Sequence, residues 1–147
     1  MNRFAACLIA VVATFAVPAL AVAQASPLVV QNAWMRKVPG AETAAVYLVL
    51  RNTGAQPVTI VGVRSPIATH VMIHETTVTG GKSQMRMHEQ LVVAPGQSVA
   101  LQPGGLHVMV SGFKKTPSIG QTVPFVLVLA NGTTVPVAVA VRSLGAQ

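Results

Sequence analysis

The chain has 147 residues, 52% of them hydrophobic and only 9% charged, and ten basic residues against three acidic ones give a net charge of +7. The basic residues are scattered apart from the pairs Arg36-Lys37 and Lys114-Lys115, and one Trp and one Tyr offer little stacking surface, which argues against a nucleic-acid partner. The excess suits an acidic protein partner or a membrane surface instead.

Read from the N-terminus, residues 1–25 have the layout of a cleaved secretory signal. Arg3 is followed by an uncharged apolar run that closes in the small-residue patterns Ala21-Val22-Ala23 and Ala23-Gln24-Ala25. Pro18 and that small-residue ending speak against a retained membrane anchor. The expected product is an exported, periplasmic chain, residues 26–147, with no stable membrane insertion. The only cysteine, Cys7, falls inside the signal and upstream of most of its apolar run, a poor position for lipid attachment. The mature chain then has no disulfide and no thiolate. Without Arg3, nine basic residues face Glu42, Glu75 and Glu89, a net charge of +6.

The remainder is the length of one ordinary domain. Stretches rich in Val, Ile, Leu and Thr alternate with Gly, Pro and Asn, which predicts nine strands at 28–37, 44–52, 58–64, 69–77, 83–90, 97–102, 106–112, 122–130 and 133–142. Asn131-Gly132 between the last two is a hairpin signal. Nine short strands without a helical period predict a single all-β domain, an antiparallel β-sandwich with Greek-key connections.

Chemistry concentrates in the middle of the chain. His70, His74, His88 and His107 are joined there by Met72, Met85, Met87 and Met109, with Glu75 and Glu89 as the only carboxylates among them. Calcium and magnesium need several oxygen ligands, and structural zinc favours cysteine with histidine. Histidines with thioethers, lacking thiolate, match copper and above all Cu(I). His107 and Met109 are two apart on an expected strand and so share a face. Alternation puts His70, Met72 and His74 on one face of their strand. Met72 reads as core and His70 as rim. Met87 shares the face of Met85, His88 points to the opposite, solvated side, and Met35 reads as core beside Trp34.

The order His74-x10-Met85-x21-His107-x-Met109 matches the metal-binding motif of the periplasmic copper chaperones of the PCuAC type, and the chain resembles that family. The stretches AWMRKVPGAETAAVYLVLRNTG, VMIHE and APGQSVALQPGGLHVMVSGFKKTP are similar to the family's flanking segments, so the resemblance spans nearly the whole mature chain. It implies a cupredoxin-like Greek-key β-sandwich holding one Cu(I) per chain on His74, Met85, His107 and Met109. It also implies a monomeric periplasmic metallochaperone that supplies copper to cytochrome oxidase assembly, its partner being the copper subunit of a respiratory oxidase or another copper-assembly protein. Sequestration of toxic copper is the alternative use of the same site. The chain departs from relatives in the run Arg86-Met87-His88-Glu89 after the first methionine, and in ending without a His- or Met-rich tail. No acid–base pair and no nucleophile beside a histidine is evident, so a carrier is expected and not an enzyme. The missing cysteine excludes blue-copper electron transfer.

Overall fold

The computed structural model describes residues 26–143 and 145, and the expected signal, residues 1–25, lies outside the described residues. Ten strands follow in chain order: β1 (Leu28–Lys37), β2 (Thr43–Asn52), β3 (Val58–Arg64), β4 (Ala68–Thr79), β5 (Lys82–His88), β6 (Leu91–Val93), β7 (Ser98–Leu101), β8 (Leu106–Phe113), β9 (Thr122–Leu129) and β10 (Thr134–Arg142). The described residues form no helix, and none is therefore long and apolar enough to cross a membrane. The nine expected strands are all present, with ends shifted by no more than two residues. The tenth is β6, whose three residues are too few to show an alternation.

Hydrogen bonding links the strands in the order β5-β4-β8-β2-β1-β10-β9-β3-β6, with β7 on β2. β3 and β4 stand far apart in that order yet touch, so the path curves round and closes on one core. Every pairing is antiparallel except that of β1 with β10, which is parallel. This corrects the wholly antiparallel expectation. A tight turn can join only antiparallel neighbours, whereas β1 and β10, far apart in the chain, are free to pair in parallel.

Alternation fills the core. Val46, Leu48 and Leu50 of β2, Val108 and Val110 of β8, Phe125 and Leu127 of β9, and Val139 and Val141 of β10 are buried. Each such side chain contributes roughly 1.5–3 kcal/mol of burial. Asn52, fully buried, is satisfied on both sides of its amide: Nδ2 donates to the carbonyls of Gln56 (2.7 Å) and Val93 (3.0 Å), and Oδ1 accepts from the Gly54 amide (2.9 Å).

Two local devices aim side chains toward one face. In β1, Gln31 pairs with Val49 and Trp34 with Tyr47, so β1 carries one residue more than β2 across that step. Asn32 absorbs the bulge at φ 52°, a left-handed conformation that its short amide tolerates. The extra residue inverts the alternation, sending Met35 into the core and Trp34 and Arg36 outward. Between β4 and β5, Thr79 pairs with Lys82 across the two-residue turn Gly80-Gly81, with φ of 58° and 74°. Two successive positive φ angles make this a primed hairpin turn, which locks the β4–β5 register.

Candidate metal centre

The neighbours β5, β4 and β8 build the site. On β8, Val108 and Val110 face the core, so His107 and Met109 face the other way. On β4 the buried Ile73 pairs with Val108, which leaves Met72 and His74 on the same outer face as His107 and Met109. The register sets His74 opposite His107 and Met72 opposite Met109. On the other side of β4, His74 faces Met87 and Thr76 faces Met85.

Side-chain geometry tightens this arrangement. Nδ1 of His74 lies 3.1 Å from Sδ of Met85, within reach of a single small cation. The His74 and His107 rings are 6.1 Å apart, centre to centre, and inclined at 72°. His107 is only 6% exposed although it lies on the outer face. Its Nδ1 stands 3.0 Å from the carbonyl oxygen of Gly105. A carbonyl can only accept, so Nδ1 carries the proton and Nε2 presents a lone pair, the arrangement that orients metal-binding histidines.

The Gly105 carbonyl is itself held. It accepts the Thr76 amide at 3.1 Å, and the Gly105 amide donates to the Gln102 carbonyl at 3.1 Å. Gln102-Pro103-Gly104-Gly105 is thereby a type II turn, with Pro103 at its second position and Gly104, at φ 81°, at its third. The Pro-Gly-Gly segment is thus the support of His107.

The surroundings of His74 favour its neutral imidazole. Its pKa is lowered from the ordinary histidine value, first by burial and then by the neighbouring His107. Among the described residues no three His, Cys, Asp or Glu side chains converge, so a soft cation here would need the methionine sulfurs. Glu75 faces away from His74 and meets Nε2 of His88 at 2.8 Å.

The four expected ligands therefore share one face of two adjoining ladders. His74, Met85 and His107 come together, and Met109 lies one step along β8 from His107. His70 is exposed opposite Ser111, in keeping with a rim position. Two expectations differ. Met72 is half-buried on the outer face opposite Met109, because the β4 alternation that sends His74 outward sends Met72 with it. His88 is not simply solvated, since Glu75 is its partner. Sequence reasoning also missed that Met87 stands directly across from His74.

The same outer face continues over β2 and β1. Ala45 pairs with Met109, and beyond it Tyr47 packs on Trp34 with ring centres 4.9 Å apart. Arg36 lies over Tyr47 (5.5 Å) and Arg142 over Trp34 (5.6 Å). Burial raises the Tyr47 pKa above its ordinary value, against an opposing effect of Arg36. Lys37 turns inward, where Nζ donates to the carbonyl of Ala41 and sits 5.3 Å from the centre of the Phe113 ring.

Comparison with known proteins covers this whole scaffold. The family described as "Putative lipoprotein LpqE-like" matches residues 28–141, from the start of β1 to the penultimate residue of β10. "Putative lipoprotein Lxx21020" of Leifsonia xyli subsp. xyli (strain CTCB07) is 32% identical over 120 residues, 81% of this chain and 72% of its own length. Among solved structures, the chain is similar to the solution structure of CuI-DR1885 from Deinococcus radiodurans, at 38% identity and a TM-score of 0.66, covering 82% of this chain and 81% of that one. It shares its fold with the copper-bound PCuAC domain from PmoF2, at 22% identity and a TM-score of 0.68, over 81% of this chain and 95% of that one. The architecture is the cupredoxin-like β-sandwich of the PCuAC domains.

Proposed function

The chain belongs to the LpqE-like family, to which the PCuAC-type copper proteins correspond, and on that premise we propose that it is an exported carrier of one Cu(I) ion held by His74, Met85, His107 and Met109. The observation that carries this reading is the 3.1 Å approach of His74 Nδ1 to Met85 Sδ, with His107 opposite and held by Gly105 in the tautomer that frees Nε2.

The donor set fits the ion. Two imidazoles and two thioethers are neutral, and the thioethers are soft, so the set stabilises a monovalent soft cation and does little to offset the charge of Cu(II). Copper here is cargo. His107 supplies a fixed, buried nitrogen, whereas Met85, 55% exposed on the edge strand β5, supplies a ligand that an incoming donor can displace. A rigid inner half and a yielding outer half suit capture and release better than catalysis.

The intended recipient in this proposal is a copper centre of respiratory cytochrome oxidase assembly. Thiolates in such a centre bind copper more tightly than thioethers and imidazoles do, which gives transfer its direction. Residues 1–25 would direct export to the periplasm and be removed. The net charge would speed encounter with an acidic partner.

Anaerobic titration of the mature chain with Cu(I), against a competing chelator, tests the reading. Uptake of one Cu(I) per chain is expected. A protein that takes up none, or in which Zn(II) competes at equal concentration, overturns it.

A further inference from the structure

The β4–β5 register makes Met87, and not Met85, the direct cross-strand neighbour of His74. Met85 stands opposite Thr76 and reaches His74 on the diagonal. Directly opposed residues of an antiparallel pair have Cβ atoms about 4.5–5.5 Å apart, closer than the roughly 7–8 Å of a diagonal pair. Both thioethers project on the His74 face from the edge strand, and both are more than half exposed, at 55% for Met85 and 54% for Met87.

An exposed methionine of that kind packs little core, so burial does not account for Met87. Its side chain has three rotatable bonds and a polarizable sulfur. Swinging toward His74 requires no movement of the backbone, because the Gly80-Gly81 turn already holds the two strands in register.

Resting on the Cu(I)-carrier reading, we propose that Met87 is an exchange ligand, a second thioether on β5 that takes the place of Met85 at the ion. When Met85 dissociates, the sulfur of Met87 donates to Cu(I) from the same strand, and the ion keeps its number of donors while an incoming group approaches from the open edge. Only donor–acceptor bonds form and break in this exchange, and the ion remains Cu(I) throughout. The two residues give β5 a redundant pair of outer ligands, and β8 supplies the fixed pair, His107 and Met109.

The test is a double-mutant cycle on the mature protein with Met85→Leu, Met87→Leu and the double variant, read by Cu(I) competition with a chelator and by the methionine methyl signals in NMR. Leucine keeps bulk and apolarity and removes the sulfur, and circular dichroism checks the fold of each variant. Because each methionine covers for the other, the double variant is expected to lose about tenfold more affinity than the product of the two single losses. In Met85→Leu, the Met87 methyl signal is expected to shift on loading. Single losses that multiply to the double loss, with a Met87 methyl that stays still in Met85→Leu, overturn the exchange ligand while leaving the carrier intact. A wild-type chain that takes up no Cu(I) overturns both.

Discussion

Nδ1 of His107 lies 3.0 Å from the carbonyl oxygen of Gly105, and this contact selects the nitrogen that His107 can offer. The same carbonyl receives the amide of Thr76 on the neighbouring strand, so the turn before β8 and the strand carrying His74 share one anchoring atom. The orientation of His107 is therefore set before any ion arrives, and its loss of freedom is borne by folding rather than by binding.

Gly104 should be intolerant of a side chain. At φ 81° an alanine is strained by about 1–2 kcal/mol. Gly104→Ala is expected to lower stability by that order in denaturant unfolding and to weaken Cu(I) binding as well, because a shifted Gly105 carbonyl no longer holds His107. An affinity equal to wild type would detach the turn from the site.

The two β8 ligands should behave differently when truncated. Met109→Ala is expected to weaken Cu(I) at least about tenfold with little effect on melting, since Met109 is only half-buried. His107→Ala should weaken Cu(I) as much and also destabilise the apo-protein by about 1–3 kcal/mol, through the cavity it leaves and the loss of one of the two hydrogen bonds on the Gly105 carbonyl. Equal melting of the two variants would contradict the burial of His107.

The pH response follows from His74. Burial first, and His107 second, hold its folded pKa below the ordinary value of about 6.5. The unfolded chain therefore binds the proton earlier as pH falls. Apo stability is full above the ordinary value and declines as pH drops from there toward the lower folded value. His74→Ala should flatten that part of the melting-temperature profile. For the same reason Cu(I) affinity should persist to lower pH than an unperturbed imidazole would allow, and then decline as His74 protonates. Affinity unchanged from neutral pH down to about 4 would mean that histidine is not a ligand.

Delivery separates a carrier from a store. Loaded protein mixed with the soluble copper domain of an oxidase from the same cell should lose its copper to it, more slowly as salt screens the encounter. A deletion strain should lose oxidase activity and recover part of it with added copper. Normal respiration with new copper sensitivity would indicate storage.

Much of this was legible in the residues. The order His74, Met85, His107, Met109 names a soft donor set, and alternation puts each pair on a face. What alternation cannot supply is register: it groups Met85 with Met87 but does not say which one stands across from His74. The Gly80-Gly81 turn decides that; the expected strands ended at 77 and resumed at 83, so the sequence marked a turn there but not its two-residue length. The bulge at Asn32 was not readable, because its effect is an inversion of phase that depends on the partner strand. Nor was the inward turn of Lys37, whose ammonium finds the Ala41 carbonyl and the Phe113 ring only after distant segments have packed.

The parallel seam also constrains the route to the native state. Trp34 pairs with Ala140 and Arg36 with Arg142, contacts between opposite ends of the chain that no local nucleus can form early. Closing such distant pairs places all-β domains among the slower folders, on the order of milliseconds to seconds. In a chain that crosses a membrane N-terminus first, as proposed here, β1 and its outward-facing Trp34 wait without their β10 neighbour until Thr134–Arg142 has emerged. His107 and Met109 lie well before that point, so the metal-binding strands arrive in the new compartment ahead of the strand that completes the sheet around them.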